Sequence, residues 1–321
     1  MTDLVPRSSL LRTLSQRLEV RMLALAIVIA AVLSVTSPYF LRTNNLLNLL
    51  DQSVVVGIVA IGMTFVILTG GIDLSVGSVL GVTGILFGLA IPKVGIGLAI
   101  MLAVLAGGAI GAFSGFLVAG FGIAAFVVTL GVMAIGRSLA YIISGGTPIT
   151  DVPSALSDAI SASVLGIPAN VAILVMLYLL AWLYLTQTKG GRTIYAIGSN
   201  REAAIMAGLN VLSYSTLPYV ISGALSAVAA VLLSAQITSI DPLAGTALEL
   251  DAIAAVVIGG ASLYGGRGSI IGTLIGVSIM VMIHNGLNLL GVSPFWQGSA
   301  IGLIIIAAVL VERLISARSF R

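Results

Sequence analysis

Long apolar runs separated by short polar connections make up almost the whole chain. Most of these runs approach the roughly 20 residues that a helix needs to cross a bilayer, so each predicts a transmembrane helix. We place ten spans, at 21–36, 46–68, 75–91, 95–118, 122–143, 168–186, 214–236, 251–264, 269–290 and 297–311. The eighth run is short, which indicates a tilted, broken or only partly spanning helix.

The composition agrees with this pattern and leaves little room for an aqueous domain. Hydrophobic residues make up 59% of the chain, charged residues make up 8%, and the mean hydropathy is +1.20. We therefore expect an all-α polytopic membrane protein with about ten transmembrane helices, some of them broken. The expected division is an N-terminal tail at 1–20, a membrane domain at 21–312 that includes a polar loop at 187–213, and a C-terminal tail at 313–321.

The basic residues predict how the chain is oriented in the membrane. Arg42 and Lys93 fall on one side of the ten-span arrangement, and Arg137 lies inside span five. The other eleven of the fourteen fall on the side that holds both termini: Arg7, Arg12, Arg17, Arg21, Lys189, Arg192, Arg201, Arg267, Arg313, Arg318 and Arg321. Cytoplasmic segments carry such an excess, so we expect both termini and the loop 187–213 in the cytoplasm.

Several kinds of chemistry have no support in the sequence. The chain has no G-x-x-x-x-G-K-[ST] loop for nucleotide phosphates, and nothing in it resembles a nucleophile with its base. One histidine and no cysteine argue against a zinc site. We therefore expect no enzyme activity and no bound metal or cofactor. The function has to come from a path through the bilayer or from partner proteins.

Polar residues recur at three- to four-residue spacing near the start of span two. Asn44, Asn48, Asp51 and Gln52 share one helical face there. Polar side chains inside a membrane usually face a cavity or another helix, and amides with carboxylates suit a ligand rich in hydroxyl groups. Hydrogen bonding between helices explains the two asparagines better, whereas both interpretations are equally supported for Asp51 and Gln52. We retain Asn48, Asp51 and Gln52 as candidates for a substrate pathway.

Two further groups of polar residues lie at the ends of predicted spans. Asp73 follows a Gly-Gly break, where its side-chain oxygens suit an N-cap for span three; a substrate or gating carboxylate is the less favoured alternative. His284, Asn285 and Asn288 cluster at the outer end of span nine, where they suit the lining of an outer vestibule. A lone histidine is more often a hydrogen-bonded residue than a ligand.

The stretch "GSNREAAIMAGLNV", residues 198–211, predicts a short polar helix in the middle of this apolar chain. Ser199 or Asn200 suits an N-cap, and Glu202 then lies near the positive end of the helix dipole. Gly208 ends the helix about two turns later. Two caps with small residues between them favour a helix on the cytoplasmic face that another protein approaches closely.

The sequence Glu202-Ala203-Ala204, followed after three residues by Gly208, resembles the EAA…G loop of ABC importer permeases. "GGIDLSVGS" and "ELDAIAAVVIGGASLYGGRGSIIGTLIG" are similar to the sugar branch of the ribose/branched-chain permease family, and "NGLNLLGVSPFWQ" is similar to a segment of bacterial ribose permeases. The resemblance extends from about residue 37 to 312.

This resemblance implies a ten-span permease of the bacterial inner membrane that pairs with a second copy or a homologue. It also implies a periplasmic sugar-binding protein and an ABC ATPase, either two copies or one fused double subunit, which uses ATP and Mg²⁺; no nucleic acid is implied. The implied cargo is a monosaccharide, most closely ribose, although His284 stands where an asparagine is expected in ribose permeases. The implied coupling helix, which seats in the ATPase, holds Asn200, Arg201, Glu202, Ala203, Ala204 and Gly208.

Two other classes of transporter stay open on the sequence alone. A proton-coupled secondary transporter needs titratable groups in the membrane, and Asp51, Asp73, Arg137 and Asp251 supply them. A passive channel for small polyols needs neither ATP nor a gradient. The coupling helix favours ATP-driven alternating access, since neither alternative requires such an element.

Overall fold

The computed structural model describes residues 18–150, 152–164, 167–293, 296–300, 302–303, 306–307 and 310. Within these residues the chain forms helices α1 (Leu18–Thr36), α2 (Thr43–Leu68), α3 (Val76–Phe121), α4 (Ala125–Ser144), α5 (Ser154–Ser161), α6 (Ala169–Gln187), α7 (Lys189–Ser199), α8 (Arg201–Met206), α9 (Val211–Ile237), α10 (Leu248–Ile258) and α11 (Ile270–Leu289). Strands β1 (Ser163–Val164) and β2 (Ile167–Pro168) form a small antiparallel hairpin before α6. Residues 296–300 are also helical. The predicted tail 1–20 is described only from residue 18, and the predicted tail 313–321 lies outside the described residues.

The described residues contain seven helices that are long and apolar enough to cross a membrane, namely α1, α2, α3, α4, α6, α9 and α11. The difference from ten predicted spans has three sources. Spans three and four form the single helix α3, which is broken at Gly95 (φ 79°, ψ 166°), three residues after Pro92. Span eight is α10, whose 11 residues reach about 16 Å and are too few to cross. Span ten falls on residues that the structure describes only in part.

Glycines bring α3 and α9 together, and this pair makes the most extensive contact among the described elements. Gly107, Gly111 and Gly115 recur every four residues on one face of α3. A methyl group on Gly107 would overlap the backbone of Gly223, and one on Gly111 would overlap the carbonyl oxygen of Tyr219. Such stripes of small residues let helix backbones approach closely in a membrane. The contact is therefore backbone against backbone.

The central helix of the bundle is α2, in which every residue from 57 to 68 is buried. It meets α11 through a hydrogen bond of 2.8 Å between the hydroxyl groups of Thr64 and Thr273. The short helix α10 packs closely on α11, because Gly276 lies directly against the backbone of Ala255. The predicted end of span eight at residue 264 was wrong, since α10 stops where a Gly-Gly pair follows it.

The connection between α9 and α10, residues 238–247, is non-helical, and we call it the strap. It packs along the first half of α3. A side chain on Gly77 would overlap the carbonyl oxygen of Gly245, and one on Gly88 would press on Ile240. Irregular backbone at membrane depth is tolerated only where protein covers it. The glycines of α3 provide the groove that covers the strap.

Gly111→Ala is expected to lower the unfolding temperature of the permease in detergent, because overpacking a close contact costs roughly 1–3 kcal/mol. Gly97→Ala is the matched control on the same helix, where an added methyl group meets nothing within 4 Å. The control should be neutral or slightly more stable, since alanine is favoured over glycine in helices. Equal unfolding temperatures for the two variants would contradict the close packing of α3 on α9.

Candidate functional site

The six-residue helix α8 is capped at both ends. The side chain of Asn200 accepts a hydrogen bond of 2.9 Å from the amide of Ala203. At the other end, Gly208 has a left-handed conformation (φ 74°), which glycine adopts without strain. The amides of Gly208 and Leu209 donate back into the last turn at 2.9 and 3.1 Å, as in a Schellman motif. Local capping therefore defines both ends of α8, which is about one and a half turns long.

One face of α8 packs on the protein and the other is open. Ala204 is buried against Ile197 and Val211, so this alanine serves the chain's own packing. Met206 is 82% exposed. The open face also holds Arg201, Glu202, Ala203 and Ile205. An exposed face with apolar and charged groups, on a helix that is fixed from behind, suits contact with another protein.

The start of α8 is fixed to the end of the central helix α2. Gly198, just before α8, lies so close to Leu68 that a side chain would overlap its carbonyl oxygen. The same carbonyl accepts a hydrogen bond of 2.9 Å from the amide of Gly266, in the loop between α10 and α11. Tyr195 donates to another carbonyl of this loop at 2.9 Å, and burial raises the pKa of its hydroxyl, which keeps it protonated. The end of α7, which leads directly into α8, therefore contacts both the end of α2 and this loop.

A cavity of about 560 Å³ lies at the opposite end of the bundle. Asp51 is one of the residues that line this cavity. The part of α2 from Asp51 to Leu68, which lies near α8, is roughly 25 Å long at 1.5 Å per residue, so the cavity and α8 lie at opposite ends of the bundle. The polar lining of the cavity comes from α2, α5, α6, α9, α10 and α11: Asp51, Gln52, Ser161, Asn170, Gln236, Asp251, His284 and Asn288. The remaining lining is largely apolar. Charged and amide groups from five helices therefore converge on one space.

Two contacts order this polar lining. The amide of Asn170 donates to the carboxylate of Asp51 at 2.8 Å, and Nε2 of His284 lies 3.2 Å from the carboxylate of Asp251. The cavity thus brings together four of the predicted substrate-pathway residues, which lie on predicted spans two and nine: Asp51, Gln52, His284 and Asn288. Sequence reasoning missed Asn170 and Gln236, which are single polar residues at the ends of apolar runs. Only their shared position at one end of the bundle identifies them.

Two of the other candidates lie away from the cavity. Asn285 is buried and exchanges two hydrogen bonds with Asn45, at 2.8 and 3.0 Å. This reciprocal amide pair holds α11 against the start of α2. Asn48 is exposed on α2 and does not line the cavity.

Asp73 is buried in the turn between α2 and α3, also outside the cavity. Its carboxylate accepts hydrogen bonds from the amide and the hydroxyl of Ser75, at 3.0 and 2.6 Å, and from the hydroxyl of Ser222 at 2.8 Å. The prediction that Asp73 is the N-cap was wrong, because α3 begins at Val76 and its N-cap is Ser75; Asp73 instead lies two residues earlier and binds that cap residue. These contacts fix the start of α3 to α9. No cluster of three or more histidine, cysteine, aspartate or glutamate residues that could hold a metal ion occurs among the described residues.

The chain matches the family model described as branched-chain amino acid transport system / permease component over residues 45–309. The ribose import permease protein RbsC of Escherichia coli (strain K12) is 42% identical over 303 residues, which cover 92% of this chain and 94% of that protein. RbsC of Bacillus subtilis (strain 168) is 43% identical over 293 residues, which cover 90% and 91%. The D-allose transport system permease protein AlsC of Escherichia coli (strain K12) is 39% identical over 294 residues, which cover 91% and 90%. No solved structure matches the chain.

Proposed function

Because the chain belongs to the branched-chain amino acid transport system / permease component family, we propose that it is the membrane-spanning permease of an ATP-driven importer for ribose or a similar monosaccharide. The identity to RbsC over more than nine-tenths of this chain carries this proposal. The match to a D-allose permease extends it to related sugars. The chain is a multi-pass protein of the inner membrane and not an enzyme. A separate ATPase subunit hydrolyses ATP with Mg²⁺.

We place the α8 end on the cytoplasmic side, together with both termini. Lys189, Arg192, Arg201 and Arg267 are exposed at this end, in agreement with the positive-inside rule. The ATPase, as two copies or as one fused double subunit, binds α8 as its coupling helix. A periplasmic sugar-binding protein docks at the cavity end, and a second copy of the chain or a homologue completes the membrane part.

Helix α9 provides the mechanical link between the two ends. It begins at Val211, three residues after the glycine that ends α8, and it ends at Ile237, one residue after the cavity-lining Gln236. Its 27 residues span roughly 40 Å. A displacement of α8 by the ATPase therefore reaches the cavity through one continuous helix. Alternating access requires such a connection between the site of ATP hydrolysis and the substrate path.

The cavity suits the passage of a polyhydroxy compound. Asp51 and Asp251 accept hydrogen bonds, and the amides of Asn288 and Gln236 both donate and accept, so several sugar hydroxyl groups find partners. The volume of about 560 Å³ falls within the range of small-molecule sites. The binding protein selects the sugar, so the permease needs only a path that tolerates it.

Glu202→Arg and Gly208→Pro are each expected to abolish ATP-dependent sugar uptake while the protein still inserts in the membrane. Proline holds φ near −65° and lacks an amide hydrogen, so it removes both the left-handed turn and the bond that closes α8. Glu202→Arg places a positive charge at the positive end of the helix dipole. Uptake and co-purification of the ATPase subunit measure the effect.

The matched control for the proline variant is Gly291→Pro. Gly291 also has a left-handed conformation (φ 71°) after a helix, but it follows α11 at the cavity end. This control should keep the ATPase subunit bound. Parental ATPase binding by Gly208→Pro would contradict the role of α8.

Asp251→Asn and His284→Ala are expected to lower sugar uptake on the order of tenfold, as the loss of a charged hydrogen bond predicts. Both should leave ATPase binding unchanged, because they lie at the far end of the bundle from α8. Asn44→Ala, at an exposed position outside the cavity lining, is the control and should transport normally. If both cavity variants took up sugar at the parental rate, the cavity would not be part of the transport path.

Reconstitution in proteoliposomes tests the class of transporter. The permease with its ATPase, its binding protein and ATP should accumulate the sugar, and the permease alone under a proton gradient should not. Uptake driven by the gradient alone would point to a secondary transporter, and flux without ATP or a gradient would point to a channel. Binding assays on the secreted partner then identify the sugar.

A further inference from the structure

Arg137 lies within the membrane-spanning helix α4, where a charged side chain is costly and usually serves a function. Its Nη1 group donates two hydrogen bonds, to the carbonyl oxygens of Pro242 and Ala244, at 3.0 and 2.9 Å. Both carbonyls belong to the strap. Irregular backbone at membrane depth has no water to satisfy its carbonyl groups, so the guanidinium group takes the place of water there.

The strap is strained at both of its ends. Thr238 (φ 50°) and Ala247 (φ 66°) are the two non-glycine residues with positive φ in the part of the chain that the structure describes. This conformation is unfavourable for residues that carry a Cβ atom, and it concentrates at switch regions. The two strained residues mark the junctions of the strap with α9 and with α10.

The strap also connects two helices that the proposed transport cycle uses. The preceding helix, α9, starts beside the coupling helix, and the following helix, α10, carries Asp251 into the cavity. A pair of backbone hydrogen bonds, both 2.9 Å, joins Ile240 of the strap to Ile149 in the segment after α4. The strap is therefore held by Arg137, by Ile149 and by the glycine groove of α3.

We propose that the strap is a gate of the transport path and that Arg137 is the positioning residue that holds it closed. This proposal rests on the import function proposed above. As α9 moves, the strap leaves its groove, the Ile149–Ile240 pair separates, and the strain at Thr238 and Ala247 is released. Each hydrogen bond of Arg137 then favours the closed state by a factor on the order of ten.

A reversible disulfide tests the movement of the strap, and the absence of cysteine from the chain makes the test clean. Hydrogen-bonded antiparallel pairs have Cα atoms about 5.5 Å apart, which suits a disulfide in Ile149→Cys/Ile240→Cys. The complete importer is reconstituted with its ATPase and binding protein. Oxidation should abolish sugar uptake while basal ATP hydrolysis continues, and a reductant should restore uptake. Equal uptake by the cross-linked and reduced forms would overturn the gate.

Substitution of Arg137 tests the positioning role by a different measurement, the amount of sugar imported per ATP hydrolysed. Arg137→Met should lower this ratio on the order of tenfold, because it removes both donors. Arg137→Lys, which keeps a charged donor, should give an intermediate ratio. Lys93→Met removes a charge from an exposed position and should keep the parental ratio. A parental ratio in Arg137→Met, with uptake and hydrolysis reduced together, would show a merely structural role.

The import function and the gate can be disproved separately. If the parental importer, assembled and folded with its partners, shows no ATP-dependent uptake of any sugar, the import function fails and the gate with it. If uptake is ATP-dependent but insensitive to the disulfide, the gate alone is wrong.

Discussion

Backbone groups at membrane depth have to find their partners within the protein, and this constraint governs the architecture of the chain. The long helices satisfy it internally. Two irregular stretches satisfy it through ionisable side chains: Asp73 accepts from the amide of Ser75, just before α3, and Arg137 donates to two carbonyls of the strap. The carboxylate of Asp73 thus satisfies a backbone amide donor, and the guanidinium group of Arg137 satisfies two backbone carbonyl acceptors. Both residues are among the titratable groups that a proton-coupled transporter would need, and in the structure both bind backbone groups.

Helix α3 combines two separate supporting roles because it is broken at Gly95. Its first half, with glycines from 77 to 88, receives the strap, and its second half, with glycines from 107 to 115, receives α9. The strap follows α9 directly in the chain. One helix therefore positions both α9, which connects the α8 end with the cavity, and the strap, which leads on to α10. This shared support explains why so much of the glycine content lies in α3.

The helices and the polar helix α8 could be predicted from the sequence because their signals are local. Apolar run length marks the spans, and Asn200 with Gly208 marks the two ends of α8. The cavity was predictable only in part, since Asn170 and Gln236 read as ordinary helix ends until the fold places them beside Asp51. Asn285 points to the neighbouring helix although it is three residues from Asn288. The positive φ of Thr238, at the end of α9, has no signal in the sequence, because residues that carry a Cβ atom rarely adopt it.

The glycine contact between α3 and α9 has a mechanical consequence. Most helix pairs are fixed in one register by side chains that interlock, and a backbone surface of glycine offers few such side chains. Sliding of α9 along α3 therefore needs little rearrangement of side-chain rotamers, as in a shear motion between packed helices. A contact with interlocking side chains would hold α9 in one register and would restrict any motion of this helix between the α8 end and the cavity.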